Sequence, residues 1–230
     1  MSNATKPAIK ALVFDAYGTL FDVNSINQTL QELLPQQAQE VAAIWRRKQL
    51  EYTWLRTLMG QYRDFYALTE EALAFALHQC GASLEEPQQR QLMGAYYRLK
   101  VFPDVPEALS TLAQSHTLAV LSNANPSLLE RATAWNGIDE HFSALISADE
   151  IQHYKPVPAV YALAEARLGL PAKEMLFVSS NTWDVAGAAA AGLQTAWLNR
   201  NDSAGQLEQL GYPPLAAFPS LAALRTWLMA

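Results

Sequence analysis

The 230-residue chain has a single cysteine, Cys80, so an intramolecular disulfide is excluded, and no cysteine–histidine cluster points to structural zinc. Long apolar runs are missing as well. The stretch 185–193 falls far short of the ~20 residues needed to span a bilayer. Positive charge is scarce, with 16 Lys and Arg against 22 Asp and Glu and a net charge of −6. A surface for nucleic acid or anionic lipid needs a basic patch to displace counterions, so neither partner is expected. A small anionic substrate needs only a few local cations. The segment 1–10 is polar, carries a proline and lacks the apolar core of a signal peptide. With the lone cysteine, this makes a reducing cytoplasm the expected compartment.

What is present is apolar: half of the residues are hydrophobic and only 17% are charged, enough for a sizeable core and far from the composition of a disordered chain. At roughly 150 residues per domain, the length fits one large domain or a domain with an insertion.

Residues 11–14 read ALVF and stop abruptly at Asp15, with Gly18 close behind. A short apolar run ending at a polar turn is the pattern of a buried parallel strand. The same pattern recurs at 117–121 (TLAVL), 175–178 (MLFV) and 195–198 (TAWL). Helical stretches lie among them at 105–114, 126–136, 156–168 and 186–191. Strands alternating with helices of this length predict an α/β fold, a Rossmann-like doubly wound parallel sheet.

About ninety residues between the first two strands have another texture. From 36 to 59 there is no Gly or Pro, and Val41, Trp45, Tyr52, Leu55 and Met59 recur at helical spacing. Thr69 with Glu70 and Glu71 is expected to cap a second helix, and 88–99 is a third helical stretch. The expected organisation is therefore a core domain, residues 1–22 and 101–230, with a helical cap domain, residues 23–100, inserted after the first strand. Such an insertion hangs over the edge at which open α/β sheets bind ligands.

Four polar segments fall at that edge. Asp15-Ala16-Tyr17-Gly18-Thr19 offers an aspartate in a sharp glycine turn, placed for nucleophilic attack or merely capping the turn. Ser122-Asn123 can grip a carboxylate or phosphate, or cap the helix that begins near Pro126. Lys155 precedes Pro156, expected at a helix start, where a cation opposes the helix dipole. Either a carboxylate such as Asp15 holds it, or it is a solvated surface lysine. Asp184, in Ser179-Ser180-Asn181-Thr182-Trp183-Asp184, can pair with Lys155, act on water, or serve the first turn of a helix. Capping explains each segment singly but not their joint arrival at one sheet edge.

These four motifs with this insertion resemble the haloacid dehalogenase superfamily over essentially the whole chain. Most members of that superfamily are phosphatases with Asp-x-Asp-Gly-Thr as first motif and further acids after the third strand that help hold magnesium. Here Tyr17 replaces the second aspartate, and Ser180 stands where such an acid is expected. An alkoxide leaving phosphate needs a proton from an acid, whereas a departing halide needs only donors around its developing charge. A dianionic phosphate also calls for a metal to offset its charge; a singly charged 2-haloacid does not.

The cap sequence Trp45-Arg46-Arg47-Lys48-Gln49-Leu50-Glu51-Tyr52-Thr53-Trp54 is similar to that of the L-2-haloacid dehalogenases. Periodicity alone does not choose among Arg46, Arg47 and Lys48; the resemblance implies that Arg46 meets the departing halide. It also implies Asp15 as nucleophile and Thr19 and Lys155 as its support. Ser122, Asn123 and the loop at Ala16 and Tyr17 bind the substrate carboxylate. It implies that Asp184, with Ser179 and Asn181, serves the attacking water, and that Tyr161 is a further catalytic residue. Phe65 and Trp183 match pocket aromatics, although core packing is the ordinary fate of such side chains. Arg47, Ala124 and Val157-Pro158 differ from the family's usual residues. The resemblance implies hydrolysis of short L-2-haloacids to D-2-hydroxy acids through an aspartyl ester, no metal, no cofactor, and a homodimer. The alternatives are a superfamily phosphatase and a catalytically idle homologue acting as a binding module.

Overall fold

The structure, a computed structural model, describes residues 8–200, 207 and 210–230; most of the N-terminal segment considered above for a signal peptide lies outside them. Six parallel strands form one sheet: β1 (Ala11–Phe14), β2 (Thr117–Ser122), β3 (Ala144–Ser147), β4 (Met175–Ser179), β5 (Gln194–Leu198) and β6 (Ala216–Phe218). Their order is β3-β2-β1-β4-β5-β6. The chain runs outward from β1 in one direction to β3, then returns to build β4 to β6 on the other side. The order reverses between β1 and β4, the switch point at which open α/β sheets bind ligands. Asp15 follows β1 at that point, and its N–H donates to Val178 O of β4 at 2.9 Å.

Alternation along the strands sorts the core into two layers. Leu12, Phe14, Leu118, Val120, Leu176 and Val178 are buried on one face, where α5 (Val105–Leu112), α6 (Pro126–Trp135) and α9 (Leu221–Met229) pack. Ala11, Val13, Ala119, Leu121 and Phe177 are buried on the other, covered by α7 (Pro158–Leu168) and α8 (Thr182–Ala190). The apolar runs are continuous in sequence because both faces are covered.

Between β1 and α5 lie α1 (Asn27–Leu33), α2 (Ala38–Met59), α3 (Phe65–Gln79) and α4 (Glu86–Ala95). The elements between β1 and α5 are helices, with two differences of detail from the sequence reading. The second long helix begins at Phe65, not Thr69, because Asp64 accepts from the Ala67 N–H as its cap. Thr69 is buried inside α3, and its hydroxyl donates to Phe65 O at 2.7 Å. The buried stripe of α2 also departs from the apolar spacing. Val41, Ile44 and Trp45 are buried, but Gln49 and Thr53 continue the stripe, while Leu55, Leu58 and Met59 are exposed. In addition, β3, β6 and α9 are elements that the apolar runs do not mark.

Among the described residues, no helix is long and apolar enough to cross a membrane.

Candidate active site

Gly18 takes φ +88°, a left-handed conformation that suits glycine, and folds the chain back after β1. The Ala16 carbonyl accepts from the N–H groups of Thr19, Leu20 and Phe21 within that turn. The loop thus delivers Asp15 to the sheet edge and brings Thr19 beside it.

Asp15 is buried, with its two oxygens in different company. Oδ2 accepts from Thr19 Oγ1 at 2.8 Å, Asn181 Nδ2 at 2.9 Å and Ser179 Oγ at 3.3 Å. Oδ1 accepts from Lys155 Nζ at 3.1 Å. Lys155 Nζ also donates to Asp184 Oδ2 at 2.9 Å, so one ammonium lies between two carboxylates. Asp184 is wholly buried and Lys155 is 1% exposed. The reading of Lys155 as a solvated surface lysine therefore fails, and Asp184, though it does stand in the first turn of α8, also pairs with Lys155. A charge taken out of water needs partners, and these three supply one another's.

Lys155 does not close a strand directly, as expected, nor stand at a helix start. A 3-10 turn, Ala148–Ile151, follows β3, and the chain then loops to Lys155. Val157 precedes the first turn of α7 in extended conformation, and Pro158 takes the helical position expected of Pro156. The Lys155 N–H donates to Asn123 Oδ1 at 2.9 Å, which ties the lysine's backbone to the loop after β2.

Electrostatics follow from this arrangement. Burial pushes Asp184 up to about 6, although Lys155 and the Tyr161 hydroxyl pull the other way. Burial lowers the Lys155 ammonium, but Asp15 and Asp184 outweigh it and leave Lys155 above its ordinary value. Tyr161 O–H donates to Asp184 Oδ1 at 2.7 Å, and burial, followed by the charge of Asp184, holds that hydroxyl well above the usual tyrosine range. Ser179 Oγ lies 3.2 Å from Asp184 Oδ2 and 3.3 Å from Asp15 Oδ2. It has one proton to give to either acid.

A small cavity of about 20 Å³ adjoins this cluster, lined by Asp15, Tyr17, Ser122, Asn123, Lys155 and Asn181 from the sheet edge and by Arg46, Leu50 and Phe65 from the insertion, with Trp183. That is room for about one water molecule. Ser122 Oγ accepts from the Ala124 N–H at 3.2 Å, leaving its own proton to donate. Tyr17 is buried against Phe21, Phe65 and Tyr96, and its hydroxyl has no partner. Burial raises its pKa far above the usual tyrosine range.

Every residue expected at the site is thus either in the cavity wall or hydrogen-bonded behind it, except Ala16. Ala16 is fully buried in the turn and does not line the cavity. Thr19, Ser179, Asp184 and Tyr161 stand behind the wall. Three neighbours escaped the sequence reading: Leu50 in the wall, and Gln49 and Tyr96, which bond to each other near Arg46. Gln49 carried a signal, since it lies three residues beyond Arg46 and so shares its helix face.

A doubly wound parallel sheet whose switch point holds a buried aspartate–lysine–aspartate cluster under a helical insertion defines an α/β enzyme that works at a carboxylate. The family model described as haloacid dehalogenase-like hydrolase matches residues 9–192, and the chain belongs to that family. It is 42% identical over 217 residues to an (S)-2-haloacid dehalogenase from Pseudomonas sp. (strain YL), covering 94% of this chain and 93% of that one. Among solved structures, an L-2-haloacid dehalogenase is similar at TM-score 0.93 and 37% identity, over 97% of this chain and 100% of its own. Another, from Xanthobacter autotrophicus with chloropropionic acid covalently bound, is similar at TM-score 0.87 and 37% identity, covering 96% and 99%.

Proposed function

We propose that this chain is a hydrolase of carbon–halide bonds that converts short L-2-haloacids to D-2-hydroxy acids with release of halide. The observation that carries the reading is the cavity itself: a buried carboxylate, Asp15, and a half-buried arginine, Arg46, share one small chamber. The similarity to (S)-2-haloacid dehalogenases over nearly the whole chain supports the substrate class.

Ser122, Asn123 and Tyr17 bind the substrate carboxylate and hold C2 in position for attack. Asp15 Oδ1 carries one donor where Oδ2 carries three, so Oδ1 is the freer oxygen and attacks C2 opposite the halogen. The new O–C2 bond forms as the C2–halogen bond breaks, and the halide leaves with the electron pair toward Arg46, Asn123 and Phe65. Thr19 and Lys155 orient Asp15. Asp184, supported by Tyr161, Ser179 and Asn181, then takes a proton from water, which adds to Cγ of Asp15. The Cγ–O bond to the substrate breaks, the departing oxygen takes the proton back from Asp184, Asp15 gives the water's second proton to solvent and becomes a carboxylate again, and the hydroxy acid is released. Only the first step touches C2, so its configuration inverts.

Residues 23–100 act as the cap domain over the core, residues 1–22 and 101–230, and Trp183 helps close the chamber against bulk water. The donor set suits no divalent cation. The two acids already hold Lys155 between them, and Tyr17 and Ser180 supply no further carboxylate; we derive no step through magnesium. This speaks against a phosphatase. The intact, fully bonded cluster speaks against an idle homologue. The proposed compartment is the cytoplasm, and the proposed assembly a homodimer through the exposed Leu58 and Met59 region of α2.

Chloride release from each enantiomer of 2-chloropropionate, with EDTA present, tests the reading. Release from the L form alone is expected; silence toward both together with magnesium-dependent phosphatase activity overturns it.

A further inference from the structure

We infer that Gln49 is a positioning residue for Arg46, aiming its guanidinium at the departing halide through a directed hydrogen-bond chain inside the insertion. The inference rests on the haloacid reading for what Arg46 meets.

Gln49 is fully buried, where a glutamine must satisfy both ends of its amide. Thr69 decides which end faces which way. Its hydroxyl proton is used on Phe65 O at 2.7 Å, so toward Gln49 the oxygen can only accept. Gln49 Nε2 therefore faces Thr69 Oγ1 at 2.7 Å, with the Tyr96 hydroxyl oxygen at 3.2 Å as its second acceptor. With the nitrogen committed, Oε1 must face the other way, and there it accepts from Arg46 Nη1 at 2.7 Å. One residue along, Trp45 Nε1 donates to Thr69 O at 2.8 Å. Helices α2 and α3 are thereby fastened at the turn that carries Arg46.

A neutral acceptor suits the task. Burial lowers the Arg46 pKa, and a carboxylate at position 49 would hold the guanidinium but cancel the charge that the leaving anion needs. An amide fixes the direction and leaves the charge in place.

The test uses Gln49→Leu and Thr69→Val, the second a change of similar shape that removes the acceptor orienting Gln49 together with the hydroxyl's own bond to Phe65 O. Chloride is the poorer leaving group and depends more on Arg46. In both variants kcat for L-2-chloropropionate should therefore fall, on the order of 10- to 100-fold in Gln49→Leu, and fall less for L-2-bromopropionate. KM should change little, since the carboxylate is held elsewhere. Bromide binding, followed directly by halide NMR line broadening, should weaken in step. Equal losses on both substrates with unchanged bromide binding, or no loss in either variant, overturn the inference, as does a wild type that binds no bromide. If Gln49→Leu does not fold, Thr69→Val decides by the same measurements. A wild type that binds bromide but dehalogenates neither acid overturns the proposed function alone, and the bromide arm still decides the role of Gln49.

Discussion

Lys155 Nζ stands 2.9 Å from Asp184 Oδ2, both groups wholly or almost wholly buried. The same ammonium reaches Asp15. One cation thus serves two acids that act in successive steps of the proposed reaction, and separating the steps separates the roles of the acids.

Asp184→Asn should leave the first step largely in place and stop the second. The expected result is a burst of about one halide per protein, followed by steady turnover reduced ~10²-fold or more, the scale of a lost general base. Mass spectrometry should find the substrate's carbon skeleton attached to the peptide that contains Asp15. Unchanged steady turnover would refute the assignment of Asp184.

The pH dependence follows from Asp184, which burial raises to about 6. Only its deprotonated form can take a proton from water, so turnover should fall as pH drops through about 6, while the initial halide burst persists. Stability should run the opposite way. An acid whose folded pKa is raised binds more protons folded than unfolded between its ordinary value and about 6. This group's contribution to stability therefore declines as pH rises through that window. Rate profiles of wild type, with the burst and the steady phase recorded separately, check the first claim. Comparing denaturation of wild type and Asp184→Asn across the window checks the second.

Gly187 marks a close approach that no motif announces. A Cβ there would lie 2.6 Å from both Pro156 Cβ and the Tyr161 hydroxyl. Gly187→Ala should therefore cost about 1–3 kcal/mol as an overpacked contact and push Tyr161 off Asp184. Loss of that donor raises the Asp184 pKa further, so the acid limb of turnover should move to higher pH. Adding Tyr161→Phe should relieve part of the stability loss, since one of the two clashing atoms is gone. A melting curve and pH profile like those of wild type would remove Gly187 from the argument.

Much of the site was legible because each motif ends an apolar run. Asp15 after ALVF, Ser122 after TLAVL and Ser179 after MLFV announce a sheet edge from the sequence alone. Lys155 was legible as a conflict, a cation beside a presumed helix start, although the chain resolves it by looping before α7 begins. The strands β3 and β6 were harder to see. They are the two outermost strands of the sheet, each paired on one side only, and their runs, ALIS and AAF, are brief. Thr69 misled because Thr-Glu-Glu is a good capping pattern, yet Asp64 caps the helix and the hydroxyl turns inward. Gln49 was invisible to hydrophobic spacing because a buried amide looks like a surface residue until its partners are known.

By itself the sequence determined the strand ends, the chemical types gathered there and the helical nature of the insertion, since these follow from local periodicity and side-chain chemistry. Tertiary structure alone decided that Lys155 sits between two acids, which oxygen of Asp15 carries fewer donors, and which way Gln49 turns its amide. Each of these depends on groups distant along the chain meeting in a small, dry space where a charge taken out of water needs partners.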